Sequence, residues 1–148
     1  MNKKIIFCSW SRSITFLDKR VESYLLSFMD EKAYFVIGDA EGVDSLIQQF
    51  LHSNKYRDVT IYTSNNSPRN NKWNWDVRHV EWWTNRYDFY RNKDQEMVNI
   101  CDLWFMIWDW KSGGTKNNKK MLKIQKKDVL ILNLNTKENF SIQSSLFS

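Results

Sequence analysis

Asp39 and Asp109 are the carboxylates whose surroundings best suit chemistry. Each follows an apolar run and opens a turn that contains glycine and leads into a helical pattern. Around the first, Gly38-Asp39-Ala40-Glu41-Gly42-Val43-Asp44 joins the run Tyr34–Ile37 to an amphipathic segment with Leu46, Ile47, Phe50 and Leu51. Gly38 and Gly42 lack a Cβ, so they can take positive φ and let another molecule approach the backbone. A helix start leaves N–H groups unpaired and carries partial positive charge, which suits a phosphate or carboxylate. The plainer alternative is a tight turn in which Asp39 or Asp44 only caps the helix. Around the second, Asp109-Trp110-Lys111-Ser112-Gly113-Gly114-Thr115 repeats the pattern after the run Asp102–Trp108. Its backbone N–H groups can cradle an anion, and Asp109 can accept from ribose hydroxyls. A third polar junction, Ser9-Trp10-Ser11-Arg12-Ser13, follows Lys4–Ser9 and offers hydroxyls and a guanidinium to phosphate or ribose. By itself it is equally a polar turn with a Ser cap.

These junctions need a scaffold that brings them together. Lys4–Ser9 reads as a buried strand, and Leu17, Val21, Tyr24, Leu25, Phe28 and Met29 recur at helical spacing, which predicts a helix over 17–31. A strand over 34–37, a helix ending near Asn54 and a β-branched strand over 58–63 follow. A helix over 86–100, a strand over 102–108, a helix over 117–127 and a strand over 128–134 complete the order. Alternation of strand and helix implies parallel pairing with right-handed crossovers. The expectation is a single α/β domain over 1–148: a Rossmann-like, doubly wound, mostly parallel five-stranded sheet flanked by helices. In such a sheet the loops after strands one, two and four open on one edge, around the topological switch point.

Two stretches stand outside this scheme. Residues 64–85 read as an irregular insertion, polar at first and then rich in aromatics: Trp73, Trp75, Trp82 and Trp83, with Arg78 and His79 among them. Such a segment suits a lid over a bound base, a subunit interface in a homo-oligomer, or simple packing. His79 has no partner at metal-ligand spacing, so no metal and no cofactor is expected. The tail, 135–148, is rich in Ser and Asn and is expected to fray.

The totals narrow the class. A chain of 148 residues with 42% hydrophobic and 16% aromatic residues has material for one core and is too rich in apolar residues for disorder. No apolar run approaches the roughly 18 residues of a membrane span, and the strand-like run after Lys3-Lys4 is too short for a signal sequence. A cytoplasmic protein without membrane contact is expected. Cys8 and Cys101 have no C-x-x-C spacing and read as buried free thiols. Much of the net charge of +5 comes from Lys116, Lys119, Lys120, Lys123, Lys126 and Lys127, a solvated helix face more than a nucleic-acid surface.

The three junctions, in this order, resemble the SLOG superfamily, Rossmann-like proteins related to the LOG phosphoribohydrolases and to the DNA-processing protein DprA. The resemblance covers about residues 3–134. The helix with Tyr90 and Lys93-Asp94 before Cys101-Asp102 is similar to a small stand-alone branch found in bacteria and phages. It implies a pocket for a nucleotide or nucleotide-derived signal formed by Ser9, Trp10, Ser11, Arg12, Gly38, Asp39, Ala40, Gly42, Val43, Asp44, Asp109, Ser112, Gly113, Gly114 and Thr115. It extends, in a phage-infected cell, to anti-defence capture of an immune second messenger. Where LOG enzymes carry a catalytic Glu after the Gly-Gly-x-Gly-Thr stretch, this chain has Lys116-Asn117-Asn118. Three readings therefore stand in order: sensing or sequestering a nucleotide-derived ligand; N-glycosidic hydrolysis or transfer with Asp39 or Asp109 as the acid; and nucleic-acid binding.

Overall fold

The computed structural model describes residues 3–10, 14–40, 42–71, 73–80, 93–94, 96–108, 128–134 and 139–142. Its strands are β1 (Ile5–Trp10), β2 (Tyr34–Gly38), β3 (Val59–Thr63), β4 (Asp76–His79), β5 (Leu103–Trp108), β6 (Asp128–Asn133) and β7 (Asn139–Ile142). Helix α1 (Lys19–Asp30) joins β1 to β2, α2 (Val43–Ser53) joins β2 to β3, and α3, residues 93–94 and 96–100, precedes β5. The strands form one sheet in the order β4-β3-β2-β1-β5-β6-β7. The first six are parallel, and β7 is antiparallel to β6. The fold is therefore α/β and doubly wound, as the alternation of patterns implies.

The count of five strands needs correction, because the sheet has six parallel strands and an antiparallel edge. β4 lies inside the stretch read as an irregular insertion, and β7 lies in the tail. β4 is Asp-Val-Arg-His, exposed along its whole length, so no apolar alternation marks it; pairing with β3 alone makes it a strand. β7 is four residues long and closes a short antiparallel edge, which a mostly parallel sheet readily carries. Of the helix expected over 86–100, residues 93–94 and 96–100 form α3 and the rest lies outside the described residues, as does the whole of the helix expected over 117–127.

Strand period distributes the apolar side chains to two cores. Ile6, Cys8, Phe35, Ile37, Phe105 and Ile107 face α1 and α2, together with Leu25, Phe28, Ile47 and Leu51. Phe7, Val36, Trp104 and Met106 face the other way, toward Met97 and Val98 of α3. A strand buried on both faces reads as continuously apolar, which is why β1, β2 and β5 were legible. The helices divide between faces by handedness. From β1 to β3 the chain winds outward in one direction, and right-handed crossovers put α1 and α2 on the same face. It then returns past β1 to β5, moving the other way, so α3 falls on the opposite face.

Helices α1 and α2 each end in a Schellman motif with a left-handed lysine. Lys32 (φ 62°) donates to the Met29 carbonyl and Ala33 to that of Phe28. Lys55 (φ 56°) donates to the His52 carbonyl and Tyr56 to that of Leu51. Glycine usually takes this position because a Cβ is disfavoured there.

The described part of the β3–β4 crossover, 64–71 and 73–75, is a strap laid along α2. Asn70 contacts Ser45 by a side-chain hydrogen bond, and the Gln48 amide donates to the Asn70 carbonyl at 3.0 Å. The Trp73 indole stacks on His52 with ring centroids 4.4 Å apart. Ser45, Gln48 and His52 fall on one helix face, so the strap follows a single stripe.

Candidate functional site

The strand order reverses between β1 and β5, which makes their carboxyl ends the topological switch point of the sheet. Trp10 ends β1 there, paired with Ile107 of β5. Its indole Nε1 is buried and has no hydrogen-bond partner among the described residues. Ser9 is turned inward, its hydroxyl accepting the indole N–H of the fully buried Trp104 at 2.7 Å. Beside β1, β2 delivers Gly38, Asp39 and Ala40 to the same edge.

Asp39 is fully buried. Its Oδ2 accepts from the Thr63 hydroxyl at 2.7 Å and from the Arg69 backbone N–H at 2.9 Å. Its Oδ1 accepts from the Arg69 guanidinium at 2.9 Å and from Lys93 Nζ at 3.1 Å. One carboxylate thus ties the end of β2 to the end of β3, to the strap and to α3. Burial opposes ionisation of Asp39, but the Arg69 hydrogen bond, the Lys93 charge and the bonds from the Arg69 N–H and Thr63 outweigh it. They hold its carboxyl well below the usual carboxylate range.

Asp44, in the first turn of α2, completes the cluster. Its Oδ2 accepts from the Ala40 N–H at 2.9 Å, closing the turn that Asp39 begins. Burial pushes its carboxyl up; the Lys93 charge and the Ala40 hydrogen bond pull the other way, and the Asp39 charge adds to the rise. The two carboxyls of one cluster are therefore shifted in opposite directions, Asp39 down and Asp44 up.

The glycines now have distinct reasons. A Cβ on Gly38 would lie 2.7 Å from Asp44 Oδ2 and 3.2 Å from Lys93 Nζ. The missing side chain makes room for the chain's own carboxylate and ammonium. Gly42 has open space around its Cβ position but φ of +84°, so its backbone conformation, at the start of α2, is what calls for glycine. No side chain caps α2 from that position.

Of the residues singled out in the sequence, Gly38, Asp39, Ala40 and Asp44 meet in one cluster, and Ser9 and Trp10 end the neighbouring strand. Gly42 opens the helix beside them. Ser11, Arg12, the Val43 side chain, Asp109, Ser112, Gly113, Gly114 and Thr115 lie outside the described residues. Thr63, Arg69 and Lys93 were assigned no role from sequence, although a buried aspartate at a strand end requires cations and hydroxyls from somewhere. Lys93 carries that signal most openly: it interrupts an apolar face of its helix and is almost wholly buried.

Trp73 and Trp75 are far from this edge. They precede β4, pack beside the end of α2, and lie 5.6 Å apart by ring centroids. Among the described residues no three His, Cys, Asp or Glu side chains converge. Both cysteines are buried thiols outside any disulfide, and burial pushes the Cys8 thiol far up. No described helix is long and apolar enough to cross a membrane. Comparison with family models, with curated proteins and with solved structures finds no match to this chain.

Proposed function

We propose that the carboxyl edge of the sheet binds, and so senses or sequesters, a nucleotide or nucleotide-derived signalling molecule. The reversal of strand order at β1/β5 supports this most directly, because open α/β sheets bind ligands at that point. The Trp10 indole N–H, buried beside it without a partner among the described residues, is a donor that a ligand acceptor would satisfy. Arg69, a third of its side chain exposed, is held by Asp39 through both backbone and guanidinium, a fixed cation for a phosphate. Ser11, Arg12 and the Ser112–Thr115 turn would close around the same ligand. In a phage-infected cell such a protein would withdraw a second messenger from an immune pathway.

Binding is favoured over cleavage by the state of Asp39. Its oxygens already accept four hydrogen bonds, and it ionises too readily to be a useful general base near neutral pH. Its work is to hold Arg69 and Lys93. N-glycosidic hydrolysis or transfer is the second reading, and it would draw on the carboxylates at this edge, Asp44 in the first turn of α2 among them.

The test is mass spectrometry of small molecules released by heat from protein incubated with a mixed nucleotide extract. An intact nucleotide at near one per chain is the expected result. Free base accumulating in solution, with nothing retained, would establish the glycosidic reading instead. Neither product would remove the carboxyl-edge site.

A further inference from the structure

The amino edge of the sheet holds a cleft that the reading above does not use. It encloses approximately 490 Å³ and is lined by the end of α2 (His52, Lys55), the approach to β3 (Tyr56, Arg57) and the approach to β4 (Trp73 to Asp76). That volume lies within the ~300–1,000 Å³ of small-molecule sites.

Its aromatic walls are set before any ligand arrives. Trp75 donates its indole N–H to the Tyr56 carbonyl at 3.1 Å. The Asn71 side chain grips the Trp75 backbone from both sides, accepting from its N–H at 3.2 Å and donating to its carbonyl at 3.0 Å. Trp73 is backed by the His52 ring. Asn74, between the two indoles, sits in the left-handed region at φ 54° and turns the chain there. Rigid aromatics give stacking area at little entropic cost on binding.

The charge at the cleft is unbalanced. Lys55 and Arg57 face one carboxylate, Asp76, and neither has an ion-pair partner among the described residues. Lys3, Arg20 and Arg78, by contrast, pair with Asp58, Asp18 and Glu96. Preset indoles beside two unmatched cations suit a flat π-system that carries negative charge.

We propose that this cleft is a second binding site, for a nucleotide unit whose base stacks on the indoles and whose phosphate meets Lys55 and Arg57. Asp76 is placed to accept from a base amino group or a sugar hydroxyl. The unit can come from a free mononucleotide or from single-stranded nucleic acid, and the two sources are separable by experiment.

Two probes are titrated into the intact protein: AMP by calorimetry, and a fluorescein-labelled oligodeoxythymidylate of about twelve nucleotides, within the usual ~4–16 nucleotide site size, by anisotropy. Each is repeated with Trp73→Ala and with the double variant Lys55→Gln/Arg57→Gln, whose exposed side chains leave the fold in place. Loss of one stacking platform weakens binding by roughly 5- to 150-fold. The double variant weakens it by about tenfold at low salt and, for the oligonucleotide, reduces the slope of log K against log salt by about 1.4, two contacts at ~0.7 each. AMP binding lost in the double variant identifies the free mononucleotide as the source. Oligonucleotide binding lost there, with AMP inert, identifies the single strand. No binding of either probe, or binding indifferent to the double variant, overturns the proposal. A binding event that survives the double variant belongs to the carboxyl edge and leaves that reading standing.

Discussion

The two edges of this sheet handle charge in opposite ways. At the carboxyl edge, the buried Asp39 and Lys93 cluster with the half-buried Asp44 and the partly exposed Arg69, two carboxylates against two cations, and Asp39 alone accepts four hydrogen bonds. At the amino edge, Lys55 and Arg57 stand in an open cleft against Asp76 beside two indoles. The first arrangement is costly to disturb, because removing one partner leaves an uncompensated charge in the interior. The second is cheap to alter, since water already serves its charges. Polar groups concentrated at a sheet edge thus have two different uses: one set holds β2, β3, the strap and α3 in register, and the other stands open to solvent.

The sharpest test sets one lysine from each edge against the other. Lys93→Met should cost about 3–5 kcal/mol, because it strips a buried cation from Asp39 and Asp44, whereas Lys55→Met should change stability by less than ~0.5 kcal/mol. Urea denaturation of both variants measures the gap. Equal losses would mean that the edges do not differ as described.

Gly38→Ala should be next in size. Its methyl group would meet Asp44 Oδ2 at 2.7 Å, and forcing that contact costs about 1–3 kcal/mol. Gly42→Ala is a contrast of a different kind, since nothing crowds it and only its φ of +84° resists a side chain. Adding Asp44→Ala to Gly38→Ala should recover part of the first loss, a coupling that a double-mutant cycle reads directly. Additive losses would show that Asp44 does not occupy the space over Gly38.

Titration of the aspartate carboxyls by NMR should show Asp39 and Asp44 deviating in opposite senses. Asp39, held low, contributes stability above its unfolded value of about 4, and this is lost as pH falls through its folded value. Asp44, pushed up, has the reverse sign: it favours the folded state while protonated, and that contribution fades as pH rises through its folded value. Arg69→Gln should raise the Asp39 midpoint and move acid unfolding to higher pH. An unchanged midpoint would mean that Arg69 is not what lowers it.

The smallest expected effect comes from the helix ends. Lys32→Gly and Lys55→Gly each relieve a left-handed lysine and should each stabilise by roughly 0.5–1 kcal/mol, read from thermal melts. The stability gains should match, yet only the Lys55 variant should weaken nucleotide binding in the cleft. Equal binding by both would detach Lys55 from the amino-edge site.

Much of the scaffold is legible in residue order because its signals are local. β1, β2 and β5 are apolar runs, α1 and α2 carry one apolar stripe each, and the Gly38–Asp44 junction announces a strand-to-helix turn. Burial on both faces and periodicity along a helix are written in consecutive residues, so the sequence by itself determined a doubly wound, mostly parallel sheet. Tertiary structure decided the rest. β4 became a strand by pairing with β3, not by its own pattern, and β7 by pairing with β6. Asp39 was conspicuous, but its partners Thr63, Arg69 and Lys93 lie 24, 30 and 54 residues away, and nothing local names them. The tryptophans of the strap suited a lid, an interface or simple packing; Trp73 and Trp75 lie at the amino edge, because a parallel crossover must carry the chain from one end of the sheet to the other before β4 can begin. Short-range patterns choose the elements; long-range pairing chooses which charges meet and at which edge a side chain arrives.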